Sequence, residues 1–163
     1  MDEPSTTAPR WLNEQEARAW RSFTRLRIEL EAALGRRLAQ RSGLSHADYA
    51  VLVELSEAPQ ERLRPYRLGR ALRWEKSRLS HHVKRMEARG LVCRVQCADD
   101  ARGSHVALTE AGRCAIEAAA PAHVEDVRHL MLDHLDPEQL EHLTSISQQV
   151  LVALEREAGC GDD

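Results

Sequence analysis

Ser77, His81 and Lys84 fall on one side of a stretch with helical periodicity, and Arg78, Ser80 and Arg85 lie on its shoulders. The other side is apolar. Leu79, Val83 and Met86 recur at i, i+4 and i+7 and, at about 100° per residue, cluster within about 60° of one another. The polar side carries no acid and no large apolar group. Its short hydroxyls permit close approach, and its cations can reach phosphates or guanine edges, which is the chemistry of duplex DNA recognition. Residues near the start of a recognition helix usually touch bases, so Ser77, Arg78, Ser80 and His81 are base-edge candidates. Lys76, Lys84 and Arg85 are candidates for phosphates. The plainer alternative is a solvated surface helix, on which Glu is common; its absence here favours DNA.

The charge distribution points the same way. The 163 residues carry a formal net charge of −3, yet residues 61–105 hold twelve Lys and Arg against five acids. That segment is therefore +7 and the rest of the chain −10. A basic module between acidic flanks is the electrostatic footprint of a nucleic-acid reader. The length suits one domain with helical extensions. No apolar run approaches the ~20 residues of a membrane span, and Met1-Asp2-Glu3-Pro4 does not open like a signal peptide. Four scattered cysteines fit a reducing compartment, so a cytoplasmic, ordered protein is expected.

The elements that must position this face can be read along the chain. Residues 1–10 read as a disordered leader. From Leu12 to Ala39 the stripe Trp20, Phe23, Leu26, Leu30, Leu34, Leu38 predicts a long amphipathic helix that needs a partner. Gly43 breaks it. Ser45 with Asp48 resembles a capping box and opens a helix through Leu52 and Leu55, ended by Ala58-Pro59. Pro65 starts a short helix bearing Leu68, Ala71 and Leu72. A turn at Arg73-Trp74 leads to the polar-faced helix, from about Glu75 to Ala88, stopped by Gly90. Two short helices joined by a tight turn are a helix-turn-helix candidate. Residues 91–96 and 106–108 are strand-like and flank a polar loop at 98–104, a hairpin. Thr109 caps a helix through Ile116, Val127 and Leu135, bent by Pro121. Asp136-Pro137-Glu138-Gln139 starts a final helix that ends before Gly159.

In this order, Met86-Glu87-Ala88-Arg89-Gly90-Leu91-Val92, Asp100-Ala101-Arg102 and Val106-Ala107-Leu108-Thr109-Glu110-Ala111-Gly112 resemble the MarR/SlyA family of winged helix-turn-helix transcriptional regulators. The resemblance runs from about Leu12 to Leu154. It implies a mainly α fold with a small β wing: residues 11–44 and 111–158 as dimerisation helices, 45–110 as the DNA-binding domain, and 159–163 as a tail. It implies that Arg102 at the wing tip enters the minor groove with Asp100 bracing the wing, and that a homodimer reads a pseudo-palindromic operator. Relatives commonly bind small aromatic or amphipathic ligands; Trp20, Tyr49 and Leu52 could line such a pocket or belong to the core. The family reading is thus a repressor released by a small molecule. The sequence departs from the family pattern at three places: Arg73 stands where glycine is frequent in the turn, Gly69 where alanine is usual, and Pro65-Tyr66 replaces a polar helix start.

Other chemistries find less support. Cys93 and Cys97, four apart on a strand, would have Cα atoms about 13 Å apart, too far for a disulfide. Cys114 is expected in the core and Cys160 in the tail. Some relatives sense oxidants through a cysteine in the first helix, and this chain has none there. His129 and His134 are five apart, a poor spacing for a shared metal on one helix face, so no metal or cofactor is expected. The chain has no P-loop, G-x-S-x-G or H-E-x-x-H, which leaves an enzyme without machinery. The competing readings are a redox- or metal-responsive regulator of the same fold, and a winged helix used only for protein contacts.

Overall fold

The computed structural model describes the backbone of residues 9–97 and 100–159, and the side chains of residues 9–96 and 104–157. The chain divides into two units, Met1–Ala33 and Leu34–Asp163. Helix α1, Glu14–Ser42, contributes to both. In the first unit α1 is opened by a reciprocal cap: the Asn13 amide donates to Glu16 Oε2 (2.8 Å) and the Glu16 amide to Asn13 Oδ1 (2.9 Å). This satisfies two donors that a helix start otherwise leaves free. The rings of Trp20 and Phe23 lie 6.1 Å apart, and both residues are more than half exposed, as is Ile28.

The second unit begins with the last turns of α1, where Leu34 and Leu38 are buried. Gly43, at φ +67°, breaks that helix. Helix α2, His46–Ser56, carries the expected capping box: Ser45 Oγ accepts from the Asp48 amide and Asp48 Oδ2 from the Ser45 amide. Its Val51, Leu52 and Leu55 have no exposure and form the centre of the core with Leu44, Leu68, Val83, Met86 and Val106. A 3-10 turn, Pro59–Glu61, then leads to β1, Arg62–Leu63. The sequence does not announce this strand, since two residues are too few for a period to emerge. Helices α3 (Pro65–Leu72) and α4 (Lys76–Ala88), strands β2 (Val92–Cys97) and β3 (Asp100–Leu108), and helices α5 (Glu110–Leu130) and α6 (Pro137–Gly159) complete the chain. The three strands form one antiparallel sheet in the order β1-β3-β2.

Several expectations are corrected. The ribbon is longer than a hairpin around a 98–104 loop: β3 starts at Asp100, Gln96 pairs with Ser104, and a bulge between Gln96 and Cys97 brings Cys97 opposite Asp100. Polar residues at that end gave no apolar alternation to read. Helix α5 stops at Leu130 rather than reaching Leu135, because Met131 leaves the helical region and Leu132–His134 form a separate 3-10 turn. Cys114 is exposed, not core. It sits on α5 away from the face that buries Gly112, Ile116 and Ala119. The cap before α6 is as expected: Asp136 Oδ1 accepts from the Gln139 amide and Gln139 Oε1 from the Asp136 amide.

Two contacts lock α5 to the rest of its unit. Asp126, 4% exposed, accepts from Arg37 at 2.8 Å and lies 3.3 Å from an Arg41 guanidinium nitrogen, which joins the end of α1 to α5. At the other end, Thr109 Oγ1 donates to the Gly90 carbonyl (2.6 Å) and accepts from the Gly112 amide (3.0 Å). Among the described residues no helix is long and apolar enough to cross a membrane.

Candidate nucleic-acid interface

Helix α3 begins with Pro65 at its first position, where the missing amide costs nothing. It ends at Arg73, which takes the left-handed conformation (φ 53°, ψ 41°) while the Trp74 amide donates 2.9 Å to the Gly69 carbonyl. This is the turn position at which the family resemblance leads one to expect glycine. A non-glycine residue there carries strain of roughly 1 kcal/mol. We therefore expect Arg73→Gly to raise unfolding stability by up to about 1 kcal/mol, read as a higher urea midpoint; an unchanged or lower midpoint would show the turn to be unstrained. Gly69 has its own reason. A Cβ there would sit 3.3 Å from the Trp74 carbonyl oxygen and 3.6 Å from Leu79 Cδ2, so the missing side chain lets α3 close onto the turn and α4.

Helix α4 buries Leu79, His82, Val83 and Met86 and exposes Lys76, Ser77, Arg78, Ser80, His81, Lys84 and Arg85. The seven candidates on this helix therefore lie together on its solvent side. No acid stands among them; Glu87, one turn on, is half-buried and pairs with Arg94 at 3.4 Å. Two of the seven are held by neighbours. The Arg78 guanidinium lies 4.5 Å from the centre of the Trp74 ring, a cation–π contact. Arg85 Nη2 lies 2.8 Å from His82 Nδ1.

The inner side of α4 is anchored by a buried carboxylate. Asp48, 4% exposed, accepts from Arg89 at 2.7 Å and faces His82 Nε2 at 3.0 Å, and Arg89 also donates to the Gly43 carbonyl at 3.0 Å. Burial pushes the Asp48 carboxyl up, but the Ser45 amide, Arg89 and the Ser45 hydroxyl outweigh it and hold the group below its usual range. Burial pushes the His82 imidazole down, against the pull of Asp48, and the nearby Arg85 cation lowers it further. The ring is thus neutral near pH 7. The burial of His82 is signalled in the sequence only by its spacing, three residues after Leu79 and four before Met86.

A cleft of about 690 Å³ opens beside α4. Leu79, Val83 and Val106 contribute apolar lining, and Arg70, Arg73, Lys76 and Arg94 contribute cations. None of the three expected ligand residues lines it. Leu52 is wholly buried in the core, Tyr49 packs its ring 4.4 Å from that of His123, and Trp20 is exposed on α1 beside Phe23. Asp100 and Arg102 belong to the first residues of β3, and their side chains lie outside the described residues, as does Cys160. Among the described residues no cluster of three His, Cys, Asp or Glu could hold a metal.

A family model described as MarR family matches residues 42–103, from the end of α1 into the wing. Among solved structures, the chain is 38% identical to AbsC, a MarR family transcriptional regulator from Streptomyces coelicolor, with a TM-score of 0.85 over 90% of this chain and 99% of that one. It is 40% identical to Sco3205, a MarR family transcriptional regulator from the same organism solved in complex with DNA, with a TM-score of 0.85 over 90% of this chain and 91% of that one. No curated protein matches the chain.

Proposed function

Because the chain belongs to the MarR family of transcriptional regulators, we propose that it acts in the cytoplasm as a homodimeric repressor that reads a pseudo-palindromic operator in double-stranded DNA. The observation that carries this reading is the face of α4: seven exposed hydroxyl, imidazole and cationic side chains with no acid among them, on a helix whose other side is fixed in the core. Ser77, Arg78, Ser80 and His81 read base edges, while Lys76, Lys84 and Arg85 hold phosphates. Arg102 on the wing enters the minor groove, whose negative potential draws guanidinium groups, and Asp100 braces it. The similarity to a regulator solved with DNA supports this assignment.

Association is supported by uncovered apolar surface in each unit. On α6, Ile146, Val150, Leu151 and Leu154 are all more than half exposed, and in the first unit so are Trp20 and Phe23. A lone chain leaves these in water, and a second copy would cover them. Two α4 helices would then meet half-sites about 34 Å apart. Release by a small aromatic or amphipathic molecule is supported by the cleft beside α4, whose lining joins apolar side chains to charged ones, Lys76 and Glu75 among them.

The test is operator binding as a function of salt, using duplexes from the DNA flanking the chain's own gene. Lys84→Ala is expected to weaken binding to all sequences alike and to reduce the salt slope by about one. An affinity for duplex that is independent of salt would overturn DNA reading and favour a winged helix used for protein contacts.

A further inference from the structure

Position 82 lies on the core face of α4, where an apolar residue would suffice, yet it carries a histidine only 6% exposed. Its neighbours are specific. A guanidinium can only donate, so the 2.8 Å contact from Arg85 Nη2 requires His82 Nδ1 to be an unprotonated acceptor. The ring proton must then sit on Nε2, which faces Asp48 Oδ1 at 3.0 Å, off the direction of a good hydrogen bond. The edge of the ring is braced by Trp74, with centroids 5.2 Å apart and planes 81° to one another. The guanidinium contact selects the tautomer, the indole fixes the ring plane, and the Nδ1 lone pair points outward at Arg85.

We infer that His82 is a positioning residue for DNA recognition, a buried imidazole whose Nδ1 holds the Arg85 guanidinium on the solvent face of α4 in the orientation in which it meets a phosphate. The inference rests on the proposed reading of α4 as the DNA-contacting helix. Arg85 is exposed and four bonds of its side chain are free to rotate, so binding a phosphate would otherwise immobilise it. A guanidinium already held by one donor loses less freedom on binding and keeps its other donors for the phosphate oxygens. The site is suited to this task because the imidazole is buried and its Nδ1 lone pair meets the guanidinium, while Arg89 and the Ser45 amide engage the Asp48 carboxylate behind it.

The test is a double-mutant cycle on binding to labelled duplexes from the DNA flanking the gene, with thermal melting run alongside. Arg85→Ala is expected to weaken binding about tenfold, and His82→Leu about fivefold, on the scale of one charge-assisted hydrogen bond. The double variant should be no weaker than Arg85→Ala alone within about twofold, because His82 acts through Arg85. His82→Asn, which keeps an acceptor close to the Nδ1 position, should restore binding to within about twofold of the unmodified protein. Fully additive losses in the cycle would overturn the inference while leaving α4 as the DNA helix; undiminished binding by Arg85→Ala and Lys84→Ala together would overturn that reading, and the inference with it. Should His82→Leu fail to fold, imidazole nitrogen NMR of the unmodified protein decides: the Nε2–H tautomer supports the inference, and a proton on Nδ1 refutes it.

Discussion

Gly112→Ala is expected to lower folding stability by about 3 kcal/mol or more, with a matching fall in the denaturant midpoint. Gly112 is helical and its φ is unremarkable, so conformational freedom is not the reason. The first turn of α5 presses against the chain at Leu91, and a Cβ on residue 112 would run into the Leu91 carbonyl oxygen and crowd Leu108 Cδ2. A carbonyl cannot swing aside as a side-chain terminus can. Either α5 lifts, stretching the Thr109 bonds to Gly90 and Gly112, or β2 shifts and disturbs its pairing with β3. Close-packed interiors transmit such displacements instead of absorbing them. A loss below about 1 kcal/mol would mean that the junction yields more easily than its packing implies.

Asp48→Ala should cost about 3–5 kcal/mol, for a different reason. The carboxylate serves three neighbours at once: the Ser45 amide, which caps the start of α2, the Arg89 guanidinium and the His82 imidazole. Removing it leaves Arg89 without its short ion pair, leaves the buried His82 Nε2 without its facing charge, and deletes half of the capping box. Asp48→Asn separates these effects. It retains an acceptor for the Ser45 amide but loses the charge, so it should fall between the parent and the alanine variant. The charge dependence has a definite sign. Asp48 has its pKa depressed in the folded protein, so its contribution is present above the ordinary carboxylate value of 3.8 and is lost as the pH falls through the lower folded value. Melting curves of Asp48→Ala indistinguishable from those of the parent near neutral pH would remove the anchor from the account.

The parts of the fold visible in the sequence are those with strong periodicity or punctuation. Ser45 with Asp48, Thr109 alone, and Asp136 with Gln139 each mark a helix start that the structure contains. Leu79, Val83 and Met86 oriented α4, and that orientation alone determined which of its residues would be exposed. What escaped had no local signal. Strand β1 is two residues long and is defined only by its partners Ala107 and Val106. The three roles of Trp74, as platform for Arg78, brace for His82 and acceptor-bearing turn residue packed near Gly69, arise from tertiary proximity. The pairing of Asp48 with Arg89 spans 41 positions, and that of Arg37 with Asp126 spans 89. No window of sequence contains either pair. Cys114 departs from the usual burial of cysteine because the phase of α5 turns it outward.

The sheet order has one further consequence. With β3 in the middle, β2 and the very short β1 are both borders, the kind of rim that invites a neighbouring molecule to add a strand and seed aggregates. The bulge after Gln96 twists β2 out of line, Arg94 places a charge along it, and β1 offers only two residues. Ribbon-to-ribbon growth is thereby discouraged at both sides, so at high protein concentration stickiness should reside in the helices and the wing should stay solvated.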